Sequence, residues 1–193
     1  MGIEFELKFS AEAEQQAAIK AAYPLAYRTT EMETTYYDTA DGKLSQRRIT
    51  LRRRMENDIS VCTVKTPVSG YGRGEWECQC GDIETGILKL CELGAPRELL
   101  LLTAEGVVPV CGAKFTRLSA AVQHNGAVLE LALDRGILMG GGRQENLCEV
   151  EVELKSGEPD EAVDFGGALA QRFSLKPQST SKFRRALALA KGE

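Results

Sequence analysis

The chain of 193 residues contains a single histidine, His124, and its six cysteines include no C-x-x-C pair. Zinc sites and redox motifs need cysteines at such a spacing, so the cysteines are expected to be reduced, buried and packed as small apolar residues. His124 precedes Asn125-Gly126, a dipeptide typical of two-residue hairpin turns, and is therefore expected to lie on a turn. Mechanisms that depend on a histidine base are thus disfavoured.

The sequence also lacks long apolar runs and an excess of positive charge. No stretch approaches the ~20 apolar residues that span a bilayer, and the first residues do not resemble a signal peptide, which predicts a cytoplasmic protein without a membrane partner. The net charge of −4 and the pI near 5.3 argue against nucleic acid as a partner, although a local basic site remains compatible with them. The length predicts one domain over residues 1–193, as a monomer or a homodimer.

Helix and strand signals predict an α+β fold in which antiparallel strands predominate. Helices are expected where capping residues, alanine-rich or leucine-rich stretches and stop signals coincide, at 10–24, 84–94, 97–106, 159–174 and 182–191. Strands are expected where apolar and polar residues alternate between turn residues, at 4–9, 34–38, 47–55, 59–66, 73–80, 107–111, 114–123, 127–134 and 147–155. The glycine-rich segment GGGR (140–143) is expected to form a flexible loop before the last strand.

Charged residues occupy one face of almost every predicted strand. In the opening EFELKF, Glu4, Glu6 and Lys8 share a face because side chains alternate along a strand, and the aromatic and aliphatic residues face the other way. The same alternation collects, on one face, the charged residues of the later strands: Arg52, Arg54, Lys65, Arg73, Glu75, Glu77, Glu130, Asp134, Glu149, Glu151 and Glu153.

A solvated sheet face is the simpler explanation for each strand taken alone, because antiparallel sheets commonly have one polar face. Two features of the whole set argue against it. Carboxylates and guanidiniums predominate over serine, threonine and glutamine, and the three stacked glutamates of EVEVE (149–153) repel one another unless cations lie between them. A closed barrel removes the exposed edges of a long sheet and turns its charged face into a lumen. We therefore expect a closed, eight-stranded antiparallel β-barrel with helices packed outside.

The charges of such a lumen fall into two groups with complementary ligands. Carboxylate oxygens are preferred by hard cations such as Mg²⁺, Mn²⁺ or Ca²⁺, and the acidic group consists of Glu4, Glu6, Glu149, Glu151 and Glu153. Ammonium and guanidinium groups suit phosphate oxygens, and the basic group consists of Lys8, Arg52, Arg54, Lys65, Arg73, Arg117 and Lys182. A polyphosphate chelated by a divalent metal satisfies both groups at once.

The order of these motifs resembles that of the CYTH superfamily, the triphosphate tunnel metalloenzymes. The opening E-x-E-x-K is followed by YYDT (36–39), LRRR (51–54), TVK (63–65), RGEWE (73–77), LELALDRG (129–136), CEVEVELKSG (148–157) and SKFRRAL (181–187). LELALDRG and CEVEVELKSG are most similar to the bacterial inorganic triphosphatases. Ser119 departs from the pattern, because a lysine often stands two residues after the position of Arg117.

The resemblance implies divalent-metal-dependent hydrolysis of a triphosphate, with inorganic tripolyphosphate giving diphosphate and phosphate. It implies one or two ions of Mg²⁺ or Mn²⁺, held by Glu4, Glu6, Glu149, Glu151, Glu153 and Asp134. It implies contacts with the substrate from Lys8, Arg52, Arg54, Lys65, Arg73, Arg117, Lys182 and Arg185. It also implies catalytic roles for Lys8, Glu75 and Glu149.

Two alternative functions stay open at this point. A class IV-type adenylate cyclase, or a nucleoside or thiamine triphosphatase, would use the same tunnel, and a non-catalytic module would bind polyphosphate or a nucleotide without turnover. A cyclase also needs a pocket for purine and ribose, of which the sequence gives no sign. A binding module would not need the glutamate cluster, which favours the hydrolase.

Overall fold

In the computed structural model, which describes residues 2–68 and 73–193, strands predominate over helices. The strands are β1 (Gly2–Glu4), β2 (Glu6–Ser10), β3 (Arg28–Asp38), β4 (Thr50–Glu56), β5 (Ile59–Pro67), β6 (Arg73–Gln79), β7 (Val108–His124), β8 (Ala127–Gly140), β9 (Arg143–Ser156) and β10 (Lys176–Pro177). The helices are α1 (Ala13–Ala22), α2 (Lys43–Gln46), α3 (Ile83–Glu92), α4 (Glu98–Leu102), α5 (Pro159–Phe173) and α6 (Lys182–Lys191). The predicted α+β class is confirmed.

The N-terminal stretch formed by β1 and β2 closes the sheet into a barrel. Only Phe5 separates these two strands, yet β1 pairs with β6 and β2 pairs with β9, both antiparallel. The other strands follow in the order β6-β5-β4-β3-β7-β8-β9, so both edges of this sheet meet at one short piece of chain. Counted as one strand, β1 and β2 complete a ring of eight, beside which the short β10 pairs with β2. The predicted closed, eight-stranded antiparallel barrel is thereby confirmed.

The apolar faces of the strands point outward and are covered by helices. Helix α5 packs on β2 and β9, where Leu169 is buried with Val150, and α3 packs on β5 and β6, where Leu90 is buried with Val64. Helix α6 instead packs against the inward-facing side of β7, β8 and β9, where Ala186 is buried with Leu138 and with Phe115, a residue that lines the lumen cavity. Each fully buried leucine or valine stabilises the fold by about 1.5–3 kcal/mol relative to an exposed one. Because the clusters beneath α5 and α3 lie outside the ring of strands, most of the inward face is left for polar residues.

The GGGR segment is a tight turn, and the prediction of a flexible loop is wrong. Gly140 and Arg143 are paired as the last residues of β8 and β9, so only Gly141 and Gly142 connect the strands. These two glycines have φ values of +57° and +75°, the left-handed conformation that two-residue hairpin turns require. A second predicted hairpin turn, Asn125-Gly126, is confirmed by positive φ at both residues and places His124 beside the turn.

Several element boundaries also differ from the prediction, among them those of β7 and α1. β7 is a single strand from Val108 to His124, whereas the sequence predicted two strands, because Gly112 keeps its place in the ladder opposite Met139. Helix α1 begins at Ala13 and not at Ser10, since Ser10 is still paired with Glu149 as part of β2.

The six cysteines are free thiols, of which Cys62 and Cys80 are buried and the other four are partly exposed. Burial raises the pKa of Cys62 to about 12, so this thiol stays protonated near neutral pH. Between residues 2 and 68 and between 73 and 193, no helix has the length and apolar character needed to cross a bilayer.

Candidate active site

The inward-facing charges enclose a cavity of about 510 Å³, which we call the lumen. Strands β1 to β9 and helix α6 all contribute to its wall, as expected for the interior of a barrel. The residues of the predicted site that line it are Glu4, Glu6, Lys8, Arg52, Arg54, Lys65, Arg73, Glu75, Arg117, Glu151, Glu153 and Lys182. The convergence predicted from strand alternation is therefore present in the structure.

Two neighbouring arginines illustrate how the alternation of strand β4 separates inside from outside. Arg52 lines the lumen, opposite Tyr36 of β3 and Thr63 of β5. Arg53 faces the other way, and its Nη1 donates a hydrogen bond of 2.6 Å to the carbonyl oxygen of Gly81. Each arginine thus has a fixed environment, one inside the barrel and the other beneath a connecting loop.

Lys182, near the start of helix α6, contacts three carboxylates at one side of the lumen. Its Nζ donates hydrogen bonds of 2.6 Å to Glu149 and 2.6 Å to Glu151, and lies 2.9 Å from an oxygen of Asp134. The second cation of this cluster is Arg117, whose Nε and Nη2 each bond Asp134 at 2.7 Å and whose Nη2 also bonds Glu151. The ionic cluster therefore joins strands β7, β8 and β9 to helix α6.

The cluster strongly shifts the protonation equilibria of its members. Burial acts to lower the pKa of Lys182, but the nearby carboxylates outweigh it and the pKa lies well above its usual value. Burial acts to raise the pKa of Glu151, but Lys182 and Arg117 outweigh it and hold that pKa well below its usual value. For Glu149 burial prevails over Lys182 and Arg185, so its pKa is raised. Glu151 is thus firmly ionised, and Glu149 protonates more readily than Glu151.

Three predicted site residues lie behind the wall of the lumen instead of on it. The side chains of Asp134 and Glu149 are 0% and 1% exposed, and Arg185 bonds Glu149 and also Glu145, at 3.0 Å from its Nε. In this arrangement Asp134 and Glu149 hold Lys182 in place, Asp134 also bonds Arg117, and Arg185 bonds Glu149 from behind. Their predicted direct contacts with metal or phosphate stay predictions.

Another part of the lumen carries a row of carboxylates on three adjacent strands. Glu6 of β2 is paired with Glu153 of β9, which is paired with Glu130 of β8. The nearest cations are Lys8, 2.6 Å from Glu6, and Lys155, 2.8 Å from Glu153 and 3.8 Å from Glu130. Burial raises the pKa of Glu153, and Glu4 and Glu130 act in the same direction although Lys155 opposes them. Negative charge is therefore in excess along this row.

A second acidic group lies where β1 meets β6. Lys65 of β5 bonds Glu4 and lies 3.4 Å from Glu75 of β6. Burial raises the pKa of Glu75, and Glu4 and Glu77 add to the effect against the opposing charges of Lys65 and Arg52. For Glu4 the outcome is the reverse, since Lys65 and Arg52 outweigh burial and lower its pKa. Glu75 is consequently the more basic of the two carboxylates.

Arg52 faces the lumen without a hydrogen-bonding partner among the described residues. Its Nη2 is 3.8 Å from Glu75 and 3.7 Å from Glu77, which is beyond hydrogen-bonding distance, and its buried Nε is also unpartnered. A buried charged donor left without an acceptor is costly, so this guanidinium is suited to an anion that enters the lumen.

Three cations on the wall of the lumen were not predicted from the sequence: Arg28, Lys155 and Arg184. Lys155 could have been found, because it continues the alternation of Glu151 and Glu153 along strand β9. Arg28 lies in the first part of β3, a stretch that the sequence analysis did not predict to be a strand. Arg184 lies on α6, and alternation within strands carries no information about a helix that crosses the end of a barrel.

Comparison with known proteins gives the following similarities. The CYTH domain family matches residues 2–187. The inorganic triphosphatase of Haemophilus influenzae is 28% identical over 165 residues, which are 83% of this chain and 46% of that protein, so the chain spans less than half the length of this curated relative.

Solved structures show the same fold. A Hippeastrum protein, described as a candidate adenylyl cyclase with a dominant triphosphatase activity, is superposed with a TM-score of 0.68 at 19% identity, over 100% of this chain and 97% of its own. A protein from Pyrococcus horikoshii is superposed with a TM-score of 0.63 at 21% identity, over 97% of this chain and 99% of its own. At these identities the likeness concerns the fold alone.

The ionic cluster predicts a large stability difference between two lysine variants. Lys182→Met removes the cation that contacts all three buried carboxylates of the cluster. It is expected to lower the free energy of unfolding by about 3–5 kcal/mol at pH 7. Without Lys182 the native pKa values of these carboxyls rise above those of the unfolded chain, so protonation favours the native state and the deficit should shrink between pH 7 and pH 5. Urea unfolding of the variant and the wild type in EDTA, at both pH values, measures this difference in the free energy of unfolding.

Lys155→Met is the matched control for this experiment. Lys155 is 43% exposed in its pair with Glu153, so its replacement is expected to cost less than about 1 kcal/mol. Equal stability of the two variants at pH 7 would show that Lys182 does not stabilise the cluster.

Proposed function

The chain belongs to the CYTH domain family, and from that premise we propose that it is a metal-dependent triphosphatase. The proposed reaction is hydrolysis of inorganic tripolyphosphate to diphosphate and phosphate inside the lumen. Arg52 carries this proposal, because its guanidinium has no hydrogen-bonding partner among the described residues and lies near further cations in an enclosed, charged cavity. The similarity to an inorganic triphosphatase from Haemophilus influenzae supports the choice of substrate.

Binding of the phosphates is assigned to the cations that line the lumen: Lys8, Arg52, Arg54, Lys65, Arg73, Arg117 and Lys182. Several of them are close enough to disfavour one another's charge. Burial lowers the pKa of Arg54, and the neighbouring Arg52 and Arg117 act in the same direction although Glu56 opposes them. An anion placed among these guanidiniums relieves that repulsion, and bidentate hydrogen bonds to its oxygens would fix its position.

The acidic row has the donor chemistry that a divalent metal needs. Glu6, Glu130 and Glu153 present carboxylate oxygens from directly paired positions, and negative charge is in excess there. With Glu4 and Glu151 they would supply oxygen donors only, which suits Mg²⁺ or Mn²⁺. Among the described residues, the buried carboxylates already within 4.8 Å of one another are those of Asp134, Glu149 and Glu151, which Lys182 contacts. When bound, the metal would supply positive charge that polarises phosphate oxygens.

The remaining chemistry is positioning and proton transfer by the chain's own residues. Phosphoryl transfer needs little covalent participation from the protein, so a nucleophilic side chain is not required. We assign to Glu75 the acceptance of a proton from the attacking water, because it faces the lumen and its pKa is raised by burial. Lys8 keeps its proton, since Glu6 and Glu151 outweigh burial and raise its pKa, and it would donate to a phosphate oxygen.

A substrate panel tests the reaction type directly. The protein is incubated with tripolyphosphate, ATP or thiamine triphosphate in Mg²⁺ and in Mn²⁺, and released phosphate and cyclic nucleotide are both measured. Phosphate released fastest from tripolyphosphate is the expected result. Cyclic AMP from ATP would favour the cyclase instead, and tight binding without turnover in either metal would favour the binding module.

Arg52 and Arg53 provide a matched pair of variants on opposite faces of β4. Arg52→Gln removes the unpartnered guanidinium from the lumen and is expected to lower kcat/KM for tripolyphosphate by about 10²–10³-fold, the usual effect of losing a charge-stabilising donor. Arg53→Gln loses an outward contact with Gly81 and should stay within about twofold of wild type. Comparable losses in the two variants would contradict binding of substrate by the inward face.

Glu6→Gln tests the metal assignment. The neutral amide is a poorer ligand for a hard cation, so metal-dependent turnover should be abolished and the affinity for Mn²⁺, measured by titration calorimetry, should fall by at least about tenfold. Glu33→Gln is the control, because Glu33 lies on the outer face of β3, beside Lys114. Wild-type Mn²⁺ affinity and turnover in Glu6→Gln would exclude Glu6 as a ligand.

A further inference from the structure

A second cavity, of about 540 Å³, adjoins the lumen, and we call it the outer cavity. It lies between the ends of strands β4, β5 and β6 on one side and helix α6 on the other. Thr50, Arg73, Ser181, Phe183 and Arg184 line both cavities, so they form the boundary between them. A ligand that fills the lumen and extends past this boundary enters the outer cavity.

Arg73 is fixed at this boundary by acceptors that carry no charge. Its Nη2 donates hydrogen bonds of 2.6 Å to the carbonyl oxygen of Arg48 and 3.2 Å to that of Lys65, and 3.3 Å to the hydroxyl of Thr50. These bonds orient the guanidinium without neutralising it. Burial lowers the pKa of Arg73 and the charge of Arg184 acts in the same direction, although Glu4, Glu6 and Glu75 of the lumen oppose them. Two cations therefore flank the passage between the cavities.

Positive charge predominates in the rest of the outer cavity. Among the described residues, its lining includes Arg48, Arg73, Arg184 and Lys191 but only one acidic residue, Glu193. Among the residues that the structure describes, none of these four cations forms a salt bridge with a carboxylate, whereas Lys8, Lys65 and Lys182 of the lumen all do. These lysines of the lumen thus have carboxylate partners, which the four cations of the outer cavity lack.

We propose that the outer cavity binds the phosphate groups beyond the third in a linear inorganic polyphosphate. A chain of four or more phosphates would occupy the lumen, pass between Arg73 and Arg184, and place its next phosphates near Arg48 and Lys191. This inference rests on the proposed function of the lumen and adds a preference for chain length. Each further phosphate brings negative charge to a place where cations lack partners.

An organic group attached to a triphosphate fits the same space less well. Pro67, Phe183 and Leu187 provide some apolar surface for such a group. An uncharged group would leave the positive charges of the four cations without a partner, whereas an added phosphate would neutralise part of that charge. The charge distribution therefore favours the inorganic chain, and an organic triphosphate such as ATP serves as a comparison in the test.

The test is a double variant, Arg48→Gln/Lys191→Gln, at two exposed positions of the outer cavity that do not line the lumen. Binding of linear tetraphosphate, tripolyphosphate and ATP is measured by calorimetry with Ca²⁺, and hydrolysis is measured with Mg²⁺. The Kd and KM for tetraphosphate should rise about tenfold, equivalent to about 1.4 kcal/mol of binding. The values for tripolyphosphate and ATP should change less than about twofold.

Two controls separate local contact from overall charge. Arg48→Lys/Lys191→Arg keeps both charges and should keep the affinity for tetraphosphate. Lys20→Gln/Arg97→Gln removes the same charge from exposed positions that do not line either cavity, and should leave tetraphosphate binding unchanged.

The possible failures are distinguishable. Suppose that the wild type binds and hydrolyses tripolyphosphate. If the Gln double variant then binds tetraphosphate with wild-type affinity, or loses affinity for tetraphosphate and tripolyphosphate equally, the inference about chain length is wrong and the proposed triphosphatase function still stands. A selective loss of ATP would assign the outer cavity to an organic group. Failure of the wild type to bind tripolyphosphate would contradict the proposed function of the lumen.

Discussion

Ion pairs between side chains of neighbouring elements neutralise the inside of the barrel, and the rest of the structure depends on them. Removing an ion from water costs several kcal/mol, so many charges can share an enclosed lumen only where partners and hydrogen bonds offset that cost. Lys182 does so for Asp134, Glu149 and Glu151. Closure of the sheet is part of the same requirement, because β1 must reach β6 for Glu4 to meet Lys65.

The period of two along each strand is sufficient to predict which face a residue occupies, and Arg52 and Arg53 show this most clearly. The period of two does not predict whether an inward-facing side chain reaches the lumen or is covered by another residue. Asp134 and Glu149 have the periodicity of lumen residues, yet they are covered by Lys182, which belongs to a helix that strand alternation cannot place. The GGGR segment shows another limit, because its composition suits a loop or a turn equally, and only the pairing of Gly140 with Arg143 distinguishes them.

The proposed function gives these ion pairs a second role. In the structure, Lys8 pairs with Glu6 and Lys65 pairs with Glu4, so these ammonium groups and carboxylates neutralise one another. On binding of substrate, the glutamates would exchange a lysine for a metal ion and the lysines would exchange a carboxylate for phosphate oxygens. Each group would keep an opposite charge nearby throughout. Among the described residues Arg52 has no hydrogen bond to give up, because Glu75 and Glu77 lie 3.8 and 3.7 Å from its Nη2, and we therefore expect it to make the first contact with the phosphate.

The location of that contact is tested most directly by a crystal structure of the protein with Mn²⁺ and tripolyphosphate. We expect phosphate oxygens within about 2.7–3.2 Å of the Arg52 guanidinium, and an anomalous manganese peak beside Glu6, Glu130 and Glu153. Tripolyphosphate bound only outside the barrel, with Arg52 still unpartnered in the lumen, would contradict the proposal that the charged interior is the active site.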